Sequence, residues 1–227
     1  MIQSNYADMV ELVDTLASGA SALVAWRFES SYPHQLISTL HYMAKIRVIS
    51  GKFGNCKIDA PSFDNSRTKP MGERIRNAIF NKIGDEITDA EVLDAFAGTG
   101  AIGLEALSRG ANHVTFIERD KLAQKILSKN ILSLGADDNS TIVRTSVNNW
   151  LENYKGGYYD IIIADPPYHD PQLSTVSKLF SLLKPNGLMV LSWLGRGGMP
   201  INDETKIVVV DNRSYGNAII TSFRRID

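Results

Sequence analysis

The segment Asp165-Pro166-Pro167-Tyr168 directly follows an apolar run, residues 160–164, that has the composition of a buried β-strand. We therefore predict that the segment lies at the mouth of a parallel sheet. The Asp165 carboxylate and the Pro166 carbonyl would supply two fixed hydrogen-bond acceptors, and the Tyr168 ring would supply a stacking surface. Two acceptors and an aromatic ring suit an exocyclic amino group on a flat base.

A second ligand-binding pattern lies upstream, where the strand predicted for residues 91–96 runs into a glycine-rich loop. The spacing of Gly98, Gly100 and Gly103 matches the dinucleotide fingerprint, in which glycines permit a tight turn and close approach of a ligand to the backbone. A helix is predicted from Ala101 to Arg109. By itself the pattern also fits a strand-to-helix turn that binds nothing.

Two carboxylates narrow the choice of ligand. Glu118 ends the strand predicted for residues 113–117, about 20 residues after the glycine loop, where an acidic side chain can hold ribose hydroxyls. Nicotinamide and S-adenosylmethionine (SAM) proteins share that feature. Asp94 precedes the glycines, and there it would repel a pyrophosphate but attract the positive amino group of SAM. The residues therefore favour SAM.

Size and composition bound the possible functions. The chain has 227 residues, 44% of them hydrophobic, which is enough for one catalytic domain with a full core. Its single cysteine, Cys56, cannot form an intrachain disulfide, and no Cys/His cluster has the spacing of metal ligands. No apolar stretch reaches the roughly 18 residues of a membrane-spanning helix. We predict a cytoplasmic protein without a metal or membrane partner, with a monomer as the default.

Charge is distributed unevenly along the chain. The net charge is −1, yet residues 43–77 contain eight basic and three acidic side chains. A basic arm on an acidic body is typical of a protein that docks a phosphate-rich partner, although a solvated strand surface is the alternative. The candidate phosphate contacts are Lys45, Arg47, Lys52, Arg67, Lys69, Arg74 and Arg76. Arg74 and Arg76 fall on a predicted helix and could pair with Glu73 instead.

The basic region predicts a hairpin of strands 46–50 and 53–60, followed by a helix over residues 73–83. Residues 1–42 contain one basic residue, Arg27, and have a different composition. They could form a docking helix, a disordered tail or a stretch upstream of the start site that the cell uses. We predict low order there.

Beyond the Asp165 segment, residues 173–183 are predicted to be helical, and residues 184–187 supply the proline and glycine that would end the helix. The last two predicted strands, residues 206–211 and 217–224, are separated by a connection too short for a crossover helix. They should therefore pair antiparallel.

Taken in order, the motifs resemble the RsmD family of bacterial 16S ribosomal RNA guanine-N2 methyltransferases. The motifs are the basic hairpin, the segment Arg67 to Arg76, the loop Leu93 to Gly100 and the Asp165 segment, and the resemblance extends from about Met43 to Arg225. It implies an α/β fold with a doubly wound, Rossmann-like class I methyltransferase sheet, mostly parallel with an antiparallel C-terminal strand. The expected organisation is an extension (1–42), a basic RNA-binding hairpin and loop (43–70) and a SAM-dependent methyltransferase domain (71–227).

The resemblance also implies residue roles. The target guanine would be held by the catalytic residues Asp165, Pro166 and Tyr168. The expected SAM contacts are Asp94, Phe96, Gly98, Gly100, Glu118, Arg119, Ser146 and Asp165. Ser146 departs from the family pattern, which often has Asp or Asn to bind the adenine amino group, although a hydroxyl can still accept one hydrogen bond.

The expected partner is 16S rRNA, with the small ribosomal subunit favoured as the substrate particle. A DNA adenine-N6 methyltransferase is an alternative because it uses the same Asp-Pro-Pro-Tyr amine clamp, but the small arm favours a structured RNA. A non-catalytic SAM-binding ribosome assembly factor is a second alternative, and intact Asp165 and Tyr168 argue against it. A nicotinamide oxidoreductase is the least favoured.

Overall fold

The computed structural model describes residues 43–61, 71–195, 198–201 and 206–227. The predicted extension, residues 1–42, and two of the predicted phosphate contacts, Arg67 and Lys69, lie outside the described residues. Those predictions therefore stay predictions.

Strands and helices alternate through most of the described chain. In order they are β1 (Met43–Arg47), β2 (Lys57–Pro61), α1 (Glu73–Ile83), β3 (Glu91–Asp94), α2 (Ala101–Ser108), β4 (His113–Ile117), α3 (Lys121–Ser133), β5 (Ser140–Val143), α4 (Val147–Asn153), β6 (Tyr159–Ala164), α5 (Leu173–Leu179), β7 (Leu183–Trp193), β8 (Ile207–Tyr215) and β9 (Ala218–Arg225). None of the helices within the described ranges has the length and apolarity needed to cross a bilayer.

A seven-stranded sheet carries the fold, in the order β5-β4-β3-β6-β7-β9-β8. The pairs from β5 to β7 are parallel, whereas β9 runs antiparallel to both of its neighbours. The order of connection reverses between β3 and β6, and in open α/β sheets ligands bind at the carboxyl ends of the strands that flank such a reversal. The predicted fold class, including the antiparallel C-terminal strand, is confirmed.

Helices cover both faces of the sheet. Along β3, Val92 packs with the core under α1, α2 and α3, whereas the adjacent Leu93 packs with the opposite core under α4 and α5. Successive strand residues point to opposite faces, so both of these residues are fully buried. This explains why β3 and β6 are apolar without alternation.

The predicted hairpin is present, but its strands lie further from the turn: β1 covers residues 43–47 instead of 46–50, and β2 covers residues 57–61 instead of 53–60. β1 and β2 pair antiparallel from Met43–Pro61 to Arg47–Lys57, and the residues between them form a loop rather than continued strands. That loop is held by α2, because the Glu105 carboxylate accepts hydrogen bonds from the backbone N–H groups of Ile49 (2.6 Å) and Ser50 (3.2 Å). Backbone groups bound to a helix are not available for a strand ladder.

Two other boundaries differ from the sequence prediction. The helix predicted for residues 173–183 ends earlier, as α5 and one 3₁₀ turn, because Leu183 already pairs with Tyr159 of β6. The expected helix stop, residues 184–187, instead forms an irregularity within β7, where Asn186 has a φ of 60°. At the C-terminus, β8 is longer than predicted, β9 has the predicted length shifted by one residue, and the two strands are joined by a two-residue turn, residues 216–217.

Candidate active site

The glycine turn, residues 97–100, links β3 to α2. Gly98 and Gly100 have φ values of 54° and 86°, in the left-handed region that favours glycine. Gly103 serves packing instead, because a Cβ there would lie 2.2 Å from Cε1 of Phe116 on β4. The glycines therefore allow a tight turn and bring α2 close to the sheet, as the fingerprint requires.

Asp94 ends β3 beside this turn and is completely buried. Its Oδ2 accepts a hydrogen bond from the backbone N–H of Gly103 (2.9 Å), whereas its Oδ1 accepts none from the described part of the chain. Burial raises the pKa of Asp94 to about 7, and the nearby carboxyl groups of Asp165 and Glu118 add to the effect. A buried acceptor without a partner fits a ligand that brings a positively charged donor.

Glu118 follows β4 and closes the glycine turn. Its Oε2 accepts a hydrogen bond from the backbone N–H of Gly98 (2.7 Å), and its Oε1 accepts one from Asp120 (2.6 Å). Burial raises the pKa of Glu118. Each carboxylate oxygen has a further lone pair, so the side chain can still accept hydrogen bonds from ribose hydroxyls. The adjacent Arg119 is exposed.

Phe96 and Ser146, the remaining predicted cofactor contacts, are half-buried. Ser146 is the N-cap of α4, where its Oγ accepts a hydrogen bond from the backbone N–H of Asn149 (3.3 Å). The structure therefore gives Ser146 a structural task, and the adenine contact stays a prediction.

The Asp165 segment lies at the carboxyl end of β6, as expected. Pro166 is buried and the Tyr168 side chain is 44% exposed, so its ring is accessible to a ligand. Burial raises the pKa of Asp165 to about 6, and a hydrogen bond from the Ser192 hydroxyl opposes that rise. The Tyr168 hydroxyl lies 3.4 Å from Oγ of Ser192.

Ser192 was missed by the sequence analysis. It lies on β7 and is 1% exposed, and nothing in its local sequence marks it. The usable signal was its position near the end of the strand that pairs with β6, since the carboxyl ends of neighbouring parallel strands meet at one edge.

Strand pairing brings the two predicted halves of the site together. β3 and β6 are adjacent and parallel, with Asp94 in register with Ile163. Asp165 is close enough to Asp94 to raise its pKa. The glycine turn and the Asp165 segment therefore lie side by side at the carboxyl edge of the sheet. Within the described residues, no three His, Cys, Asp or Glu side chains are grouped to hold a metal ion.

Four of the predicted phosphate contacts have exposed positions. These are Lys45, Arg47, Lys52 and Arg74. The Lys45 ammonium pairs with Asp59 and the Arg47 guanidinium pairs with Glu73. The Arg47–Glu73 pair is exposed on both sides and is therefore weak, so Arg47 remains able to bind phosphate. The Asp59 carboxylate is buried, whereas the side chain of its partner Lys45 is 56% exposed.

Arg76 is a correction. Its side chain is 2% exposed, and its guanidinium donates hydrogen bonds to the carbonyl oxygens of Met71 (2.8 Å) and Arg47 (2.7 Å). It joins α1 to the hairpin from inside the protein. We therefore remove Arg76 from the RNA contacts, because RNA phosphates cannot reach it.

Comparisons with known proteins agree with this geometry. The family model of conserved hypothetical protein 95 matches residues 46–224. Ribosomal RNA small subunit methyltransferase D of Escherichia coli (strain K12) is 36% identical over 143 residues, which cover 63% of this chain and 69% of the relative. The chain belongs to the RsmD family.

The RsmD protein of Haemophilus influenzae is 32% identical over 158 residues, covering 67% of this chain and 81% of that protein. The solved structure of YhhF from Escherichia coli, a candidate methyltransferase, superimposes with a TM-score of 0.72 at 30% identity, covering 81% of this chain and 99% of that chain. The resemblance inferred from the motifs is thus confirmed. The chain is a member of a family of ribosomal RNA methyltransferases with a class I methyltransferase fold.

Replacing the buried Asp94 carboxylate tests whether it contacts the cofactor. Asp94→Asn should raise the dissociation constant for SAM at least tenfold, because the substitution removes the charge that attracts the amino group. The thermal midpoint of the free protein should not fall, since an amide avoids burying a carboxylate with an unpaired oxygen. Isothermal titration calorimetry and thermal unfolding measure the two effects.

Asp160→Asn is a matched control. The Asp160 carboxylate accepts a hydrogen bond from the backbone N–H of Glu91 and pairs with Lys184, at the start of β6 and away from the glycine turn. It should leave SAM affinity unchanged. Unchanged SAM affinity in Asp94→Asn would exclude Asp94 as a cofactor contact.

Proposed function

We propose that this RsmD-family protein transfers the methyl group of SAM to the exocyclic N2 amine of a specific guanine in 16S rRNA. The observation that supports the proposal best is the position of the Asp165 segment, beside Asp94 and the glycine turn at the carboxyl ends of β3 and β6. An amine clamp beside a cofactor-binding turn suits methyl transfer to an amino nitrogen.

The residues around the turn fit SAM, which supplies an electrophilic methyl group on a sulfonium sulfur. Asp94 Oδ1, the buried acceptor without a partner, would accept a hydrogen bond from the amino group. Glu118 would accept hydrogen bonds from the ribose hydroxyls. The backbone at Gly98 and Gly100 would permit close approach. Phe96, Arg119 and Ser146 are the proposed flanking contacts.

The Asp165 segment would hold the base. The lone pair of the guanine N2 nitrogen is delocalised into the ring, so the amine is a poor nucleophile. The Asp165 carboxylate and the Pro166 carbonyl would accept hydrogen bonds from the two N–H groups of the amine. These bonds would favour a pyramidal nitrogen and direct its lone pair toward the methyl carbon. Tyr168 would stack on the base after it has left its own stack, at a cost of a few kcal/mol. The N2 nitrogen would become acidic once it is methylated and would then release its proton readily, so the reaction needs no strong base.

The exposed cations of the hairpin and α1 would contact rRNA phosphates. Lys45, Arg47, Lys52 and Arg74 occupy this surface, and Arg67 and Lys69 belong to the same proposal on sequence grounds. Phosphate contacts position a protein on its RNA without reading sequence. We also propose that the protein acts as a monomer in the cytoplasm and that its substrate particle is the small ribosomal subunit.

The test of the reaction is methyl transfer from labelled SAM to unmodified 16S rRNA and to small ribosomal subunits, followed by mass spectrometry of the nucleosides. We expect N2-methylguanosine with the unsubstituted protein. Asp165→Ala should lower the rate by a factor on the order of 10² or more, because it removes an acceptor aimed at the reacting amine. SAM affinity should change little.

Other products have defined meanings in the same experiment. N6-methyladenosine would contradict the guanine assignment and support an adenine target. SAM binding without transfer to either substrate would support a non-catalytic binding factor. Near-normal turnover by Asp165→Ala would remove Asp165 from the catalytic residues.

The pKa of Asp165 sets the expected pH dependence. Because burial raises this pKa to about 6, the carboxylate is ionised and able to accept hydrogen bonds above pH 6, and it becomes protonated below. The methylation rate at saturating SAM should therefore fall about tenfold per pH unit below pH 6. Ser192→Ala should move this acid-side fall in rate to higher pH, because the Ser192 hydroxyl lowers the pKa of Asp165. An acid limb that does not move would exclude this role for Ser192.

Arg74 tests the RNA surface. Arg74→Glu should weaken rRNA binding and reduce the slope of log K against log salt by roughly one, since one phosphate contact is lost. The fold should be retained because a carboxylate is favourable in the first turn of α1. Filter binding at several salt concentrations measures the slope.

Lys155→Glu provides the control for the same change of charge. Lys155 is exposed in the loop between α4 and β6, at the amino edge of the sheet and away from the proposed surface. If both variants shift the slope equally, the effect is one of net charge and the Arg74 contact is wrong.

A further inference from the structure

Asn130 lies on α3 and joins two parts of the protein that the proposed function treats separately. Its side chain is 1% exposed. The amide Oδ1 accepts a hydrogen bond from the backbone N–H of Asp59 on β2 (2.8 Å), and Nδ2 donates to the carbonyl oxygen of the same residue (2.9 Å). The second hydrogen of Nδ2 goes to the carbonyl oxygen of Thr99 (2.9 Å). Both of its donor hydrogens are therefore in use.

Thr99 lies within the glycine turn, between Gly98 and Gly100. Its neighbours are both in the left-handed region, where glycine permits many backbone orientations. Other bonds hold the two ends of the turn: Glu118 accepts from Gly98 N–H, and the carbonyl of Ala97 accepts from Gly100 N–H. Asn130 is the side chain that directs the carbonyl in the middle.

The other end of the connection is the hairpin arm. Asp59 lies in β2 opposite Lys45 of β1. Its carboxylate pairs with Lys45 and also with Lys129 of α3 (2.8 Å). The strand that Asn130 holds is therefore fixed on the arm that carries the proposed RNA contacts.

We propose that Asn130 is a positioning residue that sets the glycine turn against the hairpin arm, so that SAM affinity depends on how β2 is seated. The inference rests on the proposed function in taking this turn as the SAM site. A buried Asn that only completed the β2 edge would need its two bonds to Asp59. The third hydrogen bond, to the Thr99 carbonyl oxygen, connects the position of β2 to the glycine turn.

Ser108 offers a matched comparison on the same arm. It is 3% exposed, its Oγ accepts a hydrogen bond from the backbone N–H of Phe53 (2.9 Å), and its hydroxyl donates to the carbonyl oxygen of Ser50. It anchors the hairpin loop to α2 and forms no hydrogen bond with the glycine turn in the described part of the chain. Ser108→Ala should loosen the arm without altering the turn.

The experiment measures SAM binding to the full chain by isothermal titration calorimetry without RNA, well below the thermal midpoint of each variant. Asn130→Ala should raise the dissociation constant for SAM about tenfold, the size expected when one hydrogen bond no longer orders a binding element. Ser108→Ala should change it by less than about twofold, although both variants lower the thermal midpoint. Should Asn130→Ala not fold, Asn130→Asp replaces it, because it keeps the size and the acceptor but loses both donations.

Amide hydrogen exchange of the free protein gives a readout that needs no ligand. Exchange at Gly98 and Gly100 should be faster in the Asn130 variant and unchanged in Ser108→Ala. SAM affinity and exchange that match the unsubstituted protein would overturn the proposal and leave Asn130 a purely structural residue. Absence of SAM binding by the unsubstituted protein, with faster exchange in the Asn130 variant, would overturn the proposed function while the positioning of the turn stands.

Discussion

The parallel pairing of β3 with β6 is the constraint on which the site depends. The two strands are neighbours although 64 residues lie between the end of β3 at Asp94 and the start of β6 at Tyr159, and their register sets Asp94 beside Ile163. A shift of one residue would turn every side chain of a strand to the opposite face. Because both faces of this pair are packed under helices, burial on two sides holds the register. The register in turn fixes the positions of the glycine turn and the Asp165 segment, which follow the two strands.

This edge of the sheet brings together buried carboxyl groups. Burial raises the pKa of Asp94 to about 7 and that of Asp165 to about 6, so both groups are costly to ionise before a ligand arrives. Asp94 also has one oxygen without a hydrogen bond within the described residues. Active sites often sacrifice stability in this way, because a group already fully satisfied by the protein has little left for a ligand.

The hairpin is packed on the two helices that flank the glycine turn. Its loop is held by Glu105 and Ser108 of α2, and its second strand is held by Asn130 of α3. Both helices also form the glycine turn's surroundings, since α2 begins at the turn and Asn130 contacts Thr99. An arm attached to these helices has a fixed position relative to the glycine turn, as the proposed contact with RNA requires and as a flexible linker would not provide.

The sequence by itself determined the local features: the apolar strands, the glycines that permit a tight turn and the order of Asp94, Glu118 and Asp165 along the chain. These follow from periodicity and backbone sterics, which act over a few residues. Only the tertiary structure decided that Arg76 is internal, that Ser192 touches the clamp and that Asn130 joins the arm to the turn. An arginine, a serine and an asparagine look the same in sequence whether solvent or a distant carbonyl satisfies them. Which partner they meet depends on strand order and packing between residues far apart in the chain.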